Sequence, residues 1–165
     1  MQDFIFKWMD DGSYCVMSYE GDEAEVVIPE SYCGSPVTAL GDGLFKGHTE
    51  ITSVKIPEGI TDMGEFLFDG CTGLRHIDLP STVRTLWGYT FVRSSFEEVI
   101  LPDGIVSLPP FAFKDCKQLK RVVCGKGLTR IYNWVFAGCD ALKEVDYGGN
   151  VKVSHEAFAS KVLNT

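Results

Sequence analysis

Apolar residues recur along this chain with a period of 22 or 23 residues. A phenylalanine returns six times, at Phe45, Phe68, Phe91, Phe113, Phe136 and Phe158. Two further apolar columns keep the same spacing, one at Ile51, Leu74, Phe96, Leu119 and Leu142 and one at Val54, Ile77, Val99, Val122 and Val145. A unit of this length is too short to bury these side chains alone, whereas stacked units share a continuous core. The pattern therefore predicts a solenoid of six short coils.

Each coil carries the signals of one strand and one tight turn. Residues 74–79 alternate apolar and polar side chains, which predicts a short strand that Pro80 ends. Residues 61–70 place apolar side chains at helical spacing before a glycine, which predicts one helical or 3₁₀ turn. Strands that recur once per coil in the same direction pair in parallel. We therefore expect an α/β repeat with a curved parallel sheet along one side.

The two ends of the chain depart from this period. Phe4, Phe6 and Trp8 alternate with other residues before a turn at 10–12, so residues 1–25 are predicted to form a β-hairpin that caps the N-terminal end of the core. Residues 26–165 are predicted to form one continuous solenoid domain. The last five residues, 161–165, are short for a second cap, so an open apolar end favours homo-association through the C-terminal end of the solenoid, or a chain cut from a longer array.

The repeat has a recognisable motif. It reads Leu-x-x-Val-x-Ile-Pro followed by Val-x-x-Leu-Gly-x-x-x-Phe-x-Gly-Cys, and its best copy lies at 56–74. This pattern resembles the BspA-like leucine-rich repeat family of bacteria and some protists over residues 26–160, although the Asn ladder of the commoner repeat is absent. The resemblance implies a right-handed leucine-rich repeat solenoid with a non-enzymatic role in protein interaction. It also implies a bacterial or protist surface, where members act in adhesion and host contact.

Composition excludes some classes of protein and indicates a compartment. The formal charge of −8 argues against nucleic-acid binding, which depends on Lys and Arg contacts to phosphates. No apolar run approaches the roughly 18 residues that a membrane span needs. The first residues lack the basic stretch of a secretory signal, and the six cysteines form no C-x-x-C pair, so we expect free thiols. These features favour the cytoplasm, whereas a trimmed chain would be secreted or held at the cell surface.

The residues that could carry chemistry are scattered. The three histidines, His48, His76 and His155, lie in different coils, and no nucleophile motif accompanies them. His76 lies beside Asp78 on the predicted strand, and we expect the two side chains to point to opposite faces. The sequence therefore predicts no catalytic residue, no metal site and no cofactor.

A first candidate binding face follows the strand position between the two inward residues of each coil. That column contains Lys55, Asp78, Ile100, Val123 and Asp146. Ile100 and Val123 are neighbours in adjacent coils, so they form an apolar patch bounded by charges, which is typical of a protein or peptide binding site. The structural alternative is that β-branched residues simply favour strands.

A second candidate face is aromatic. One column carries Phe66, Tyr89, Phe111 and Trp134, and a nearby column adds Trp87 and Tyr132. A row of aromatic rings can bind a sugar or a peptide, and it can equally stack for stability. The alternative function is therefore a carbohydrate-binding or adhesive surface module that uses these six side chains.

Overall fold

The computed structural model describes residues 3–159 of the chain, and within that range it contains short strands and turns and no helix. In chain order the strands are β1 (Phe4–Trp8), β2 (Tyr14–Tyr19), β3 (Glu25–Val27), β4 (Ser31–Tyr32), β5 (Ser35–Leu40), β6 (Ser53–Lys55), β7 (Asp62–Met63), β8 (Thr85–Leu86), β9 (Glu98–Ile100), β10 (Ser107–Leu108), β11 (Arg121–Val123), β12 (Arg130–Ile131), β13 (Glu144–Asp146) and β14 (Lys152–Val153). No helix in this range is long and apolar enough to cross a membrane.

The N-terminal segment forms an antiparallel hairpin of β1 and β2, with a register shift between Ile5 and Phe6. Strand β2 then pairs in parallel with β5, which joins the hairpin to the stacked coils through β7 and β8. Val16 and Tyr19 of β2 are buried against the first coil. The alternation of aromatic residues in this segment therefore does correspond to a pair of strands.

Two series of parallel strands stack along the solenoid, where the sequence predicts one. The first consists of the pair β3 and β6 and the trio β9, β11 and β13, in which Val99, Val122 and Val145 share one register. The second consists of β5, β7 and β8 and the trio β10, β12 and β14. The second series arises because the apolar residues that follow the bend after each first-series position, such as Met63 and Leu108, also lie on extended backbone.

The strand expected at residues 74–79 does not form, and this prediction is wrong. Ile77 is buried as its column requires, yet no strand is assigned at residues 74–80. The Glu97 amide donates to the Arg75 carbonyl at 3.2 Å, which preserves one backbone link to the next coil. The alternation of apolar and polar residues indicates which side chains point inward. A strand ladder also requires repeated backbone hydrogen bonds between neighbouring coils. The first series of strands is therefore interrupted in the third coil.

The helical or 3₁₀ turns expected in each coil are also absent from the described residues. In the segment 89–94, the amides of Val92 and Ser94 donate to the carbonyls three residues earlier. The amides of Phe91 and Arg93 donate instead to the next coil, at the carbonyls of Ala112 (2.8 Å) and Lys114 (3.0 Å). A helix needs every amide bonded within its own turn. Alternate amides in this segment bond to the next coil instead of within their own turn. The turns of neighbouring coils are therefore joined by backbone hydrogen bonds.

The phenylalanine column forms the centre of the core. The rings of Phe68, Phe91 and Phe113 are fully buried, with centroids 6.0 Å and 4.8 Å apart and interplanar angles of 5° and 15°. The same stacking continues to Phe45 at one end and to Phe158 at the other. Buried apolar residues from Val16 to Ala157 belong to one cluster, so the coils share a single core.

Candidate functional site

The first candidate face divides into two parts. Ile100, Val123 and Asp146 end β9, β11 and β13 and lie side by side in one register row. Lys55 lies on β6, which pairs with β3, and Asp78 lies in the segment without a strand. The structure therefore brings three of the five candidates together in one sheet, which we call the sheet face. The other two are exposed farther along the same column.

The apolar centre of the sheet face is Ile100. Its side chain is 58% exposed, the largest value among the exposed large apolar residues of the described chain, while Val123 beside it is half-buried. A hollow of about 170 Å³ adjoins Ile100 and is lined by His76, Ile77, Asp78, Leu79 and Glu98. The hollow lies against the segment that lacks a strand. The sequence did not predict this hollow, because the apolar pattern of residues 74–79 does not show whether the segment pairs with the neighbouring coils.

Opposite charges border the sheet face in adjacent coils. Arg121 contacts the carboxylates of both Glu98 and Glu144 at 3.0 Å, and the hydrogen bond from Arg121 to Glu98 is the main cause that raises its pKa. In the next column, Glu97 lies 3.5 Å from both Arg75 and Lys120. Single exposed pairs contribute about 0–1 kcal/mol, so their chief effect is to favour the correct stacking of neighbouring coils.

His76 and Asp78 share one face, so the expectation that they point to opposite faces is wrong. The Nε2 atom of His76 lies 3.0 Å from Oδ1 of Asp78, and both side chains are largely exposed to solvent. Residues two apart on extended backbone point to the same side, which is the physical reason for the contact. The pair has no nucleophile among its hydrogen-bond partners in the described residues.

Four of the six aromatic candidates form a continuous stack. The rings of Phe66, Tyr89, Phe111 and Trp134 follow one another at centroid distances of 4.9, 4.7 and 5.2 Å, with interplanar angles of 8–15°. All four residues have positive φ, between 54° and 64°, in a column that begins with Gly43. This backbone conformation costs a bulky residue about 1–2 kcal/mol, which the stacking contacts offset. Because the rings cover each other's faces, the inner rings offer mainly their edges to solvent.

The other two aromatic candidates lie outside this stack. Trp87 is 54% exposed and Tyr132 is 39% exposed. The guanidinium of Arg130 lies over the ring of Tyr132, 5.3 Å from its centroid. Trp87 and Tyr132 occupy one column, with Pro109 in the coil between them. The structure thus separates a stacked row, of which the terminal Trp134 is also exposed, from two exposed rings that lie outside the stack.

Tyr132 borders a basic cleft on the trio β10, β12 and β14. Two adjoining cavities of about 250 and 420 Å³ share Arg130, Tyr132 and Lys152 in their walls. Arg130 and Lys152 are register partners on neighbouring parallel strands. Sequence reasoning missed this cleft, although a signal existed: both cations directly precede an apolar residue of the second strand series.

All six cysteines are free thiols, and three of them are buried. Cys71, Cys116 and Cys139 are buried, and each thiol donates to the carbonyl of a phenylalanine, namely Phe45 (2.8 Å), Phe91 (2.9 Å) and Phe113 (2.9 Å). Burial raises the pKa of Cys71 to about 12, and burial likewise raises that of the half-buried Cys124 to about 12. Within residues 3–159, no group of three or more His, Cys, Asp or Glu side chains has the geometry to hold a metal ion.

These surroundings predict a single fast-reacting thiol in the folded protein. Cys33 is exposed on the turn between β4 and β5, whereas a thiol with a pKa near 12 stays protonated at pH 8 and is a poor nucleophile. Titration of the native protein with a chromogenic disulfide at pH 8 should show one rapid equivalent, which Cys33→Ser removes, with the other thiols reacting after unfolding. Rapid modification of Cys71 would contradict the burial described here.

Comparisons with known proteins agree with the architecture. The family model for BspA type leucine rich repeat regions matches residues 38–164 in six copies. A leucine rich repeat protein of T. pallidum superposes with a TM-score of 0.72 and 25% identity over 91% of this chain and 82% of its own. We found no curated protein with significant similarity to the sequence.

Two longer bacterial proteins have the same fold. A leucine-rich repeat protein from Bacteroides ovatus has a TM-score of 0.68 and 23% identity, over 96% of this chain and 49% of its own. A leucine rich cell surface protein from Faecalibacterium prausnitzii has a TM-score of 0.69 and 23% identity, over 96% of this chain and 52% of its own. This chain therefore spans about half the length of these two proteins.

Proposed function

Because this chain belongs to the BspA-type leucine-rich repeat family, we propose that it is a non-enzymatic module that binds a protein or peptide partner on the sheet face. The observation that carries the proposal is the exposed side chain of Ile100, which lies on a paired strand beside a hollow. Ile100 and its register partner Val123 form a contiguous apolar patch, and contiguous exposed patches favour a binding role.

The surroundings of Ile100 support this proposal. Ile100 and Val123 form the apolar centre, while Arg121, Glu98 and Asp146 form a charged border. Protein interfaces commonly combine an apolar centre with a polar rim that excludes water from it. The strands hold these side chains in place before binding, so little backbone entropy is lost when a partner docks. The hollow beside Ile100 can receive an apolar side chain of that partner.

The test is capture of a partner from a lysate of the source organism by matched variants. The variant Ile100→Asp/Val123→Asp places two charges at the centre of the sheet face. The control Ile5→Asp/Met17→Asp adds the same two charges at exposed residues of the N-terminal hairpin, outside the sheet face and the basic cleft. We expect the native chain and the control to retain the same partner and the double variant to lose at least about nine-tenths of it. Circular dichroism spectra should be equal for all three proteins.

Retention of that partner by the double variant would exclude the sheet face as its binding site. Loss of the partner from the control as well would place binding elsewhere, or indicate a general effect of added negative charge. A matched pair of variants at Lys55 and Asp78 would then show whether the exposed ends of the same column take part.

A second candidate function is carbohydrate binding, and the exposure of Trp87 and Tyr132 favours it. Aromatic rings that are open on one face can pack against the apolar faces of sugar rings. The stacked row contributes edges rather than faces, so Trp87 and Tyr132 are the stronger candidates on this side. A glycan array with the native chain and with Trp87→Ala is the direct test.

We further propose a reducing compartment for the protein, because the exposed thiol of Cys33 has no disulfide partner. The alternative of a cell-surface location draws support from the similar cell surface protein of Faecalibacterium prausnitzii.

A further inference from the structure

The basic cleft places two cationic residues on register partners of neighbouring strands. Arg130 and Lys152 are register partners on β12 and β14, so their backbones lie about 4.8 Å apart and two like charges stand side by side. Within residues 3–159, neither side chain forms an ion pair with an acidic residue. On the sheet face, by contrast, Arg121 is placed between two carboxylates. Like charges directly opposite one another destabilise a sheet.

An anionic ligand would relieve this repulsion. Arginine presents a planar fork of donors that matches a carboxylate, and lysine adds a second charge-assisted hydrogen bond. The protein as a whole carries a charge of −8, so a cleft with two cations that lack an acidic partner among the described residues differs from its general surface. The cleft therefore selects ligands by charge more sharply than the overall composition indicates.

The neutral groups of the cleft indicate what kind of anion fits. The larger cavity is lined by Ser107, Thr129 and Asn150 together with Val106. The smaller cavity adds Asn133 and Ser154. Hydroxyl and amide groups pair well with sugar hydroxyls, and Val106 and the ring of Tyr132 offer apolar surface to the C–H groups of a sugar. The backbones of β10, β12 and β14 pair with one another, so side chains provide most of the recognition.

We infer that the basic cleft binds a saccharide that carries carboxylates, an oligouronate, with one carboxylate between Arg130 and Lys152 and a sugar ring against Tyr132 and Val106. This inference rests on the second candidate function and specifies its ligand class and its residues. It is independent of the sheet face, where Ile100 and Val123 lie on the other series of strands.

The experiment is calorimetric titration of the full chain at low ionic strength with tetragalacturonate. Its fully methyl-esterified form is a matched neutral probe, because it has the same sugar rings without charge. We expect Arg130→Ala/Lys152→Ala to weaken tetragalacturonate binding by about tenfold or more. The control Lys7→Ala/Lys143→Ala removes the same charge from exposed lysines outside the cleft and should leave the affinity within about twofold.

The outcomes separate the inference from the function on which it rests. Equal binding of the esterified probe, unaffected by Arg130→Ala/Lys152→Ala, would overturn the anion site and leave carbohydrate binding intact. Binding of neither saccharide would overturn both. Binding of tetraglutamate as tightly as tetragalacturonate, with the same loss in the double variant, would replace the saccharide with an acidic peptide.

A second experiment adds the melting temperature of the free protein, which needs no ligand. Because the like charges repel one another in the free protein, Lys152→Glu should raise the melting temperature while it abolishes tetragalacturonate binding. A lower melting temperature for this variant would contradict the repulsion from which the inference starts.

Discussion

Replacement of Phe91 by alanine should lower the free energy of unfolding by about 3–5 kcal/mol. The ring of Phe91 is fully buried between the rings of Phe68 and Phe113, and the centroid of the Phe96 ring, in an edge arrangement, lies 6.0 Å from its own. Its removal leaves a cavity that borders two neighbouring coils, because each coil contacts only its neighbours along the stack. Urea unfolding followed by circular dichroism measures the change.

Phe158 provides the matched control for this prediction. It belongs to the same column, but it is half-buried and stacks on Phe136 alone at 5.1 Å among the described rings. Phe158→Ala should therefore cost less than half as much as Phe91→Ala. Equal losses for the two variants would show that burial between two rings contributes nothing special. A loss below about 1 kcal/mol for Phe91→Ala would contradict its central place in the core.

Replacement of Gly127 by alanine should lower the free energy of unfolding by about 2–3 kcal/mol. A Cβ atom at this position would lie 2.1 Å from the carbonyl oxygen of Asp103 in the preceding coil. The obstacle is backbone, so no side-chain rotation relieves it and the two coils must move apart. The requirement for glycine here arises from the close approach of two coils rather than from an unusual backbone angle.

Gly149 is the control for this substitution. A Cβ atom there meets nothing within 4 Å, so Gly149→Ala should change the free energy of unfolding by no more than about 0.5 kcal/mol. Thermal or urea unfolding of both variants makes the comparison. If Gly127→Ala lowered the free energy of unfolding as little as Gly149→Ala, the close approach of the two coils at Asp103 would be contradicted.

The sequence predicts which side chains are neighbours wherever a single column settles the geometry, while the binding role of either face stays a prediction. Ile100 and Val123 were expected to be neighbours because they occupy one column of adjacent coils, and the register of β9 and β11 places them so. The column of Phe66 and Tyr89 likewise corresponds to a stack of rings. The hollow beside Ile100 was beyond prediction because it depends on several columns at once, and the basic cleft was missed although its two cations occupy equivalent positions of adjacent coils.

The amino-acid sequence alone predicts the number of coils and the inward side chains, because burial of apolar surface requires apolar residues at a repeated spacing. It predicts the hairpin from a two-residue alternation. The partner of each backbone amide, by contrast, is set by the stacking of the coils. Alternate amides of the turns bond to the next coil, and residues 74–79 lose their ladder, because these bonds depend on the distance between coils rather than on the residues of one coil. The like charges of Arg130 and Lys152 became neighbours for the same reason, through a register that only the stacked coils define.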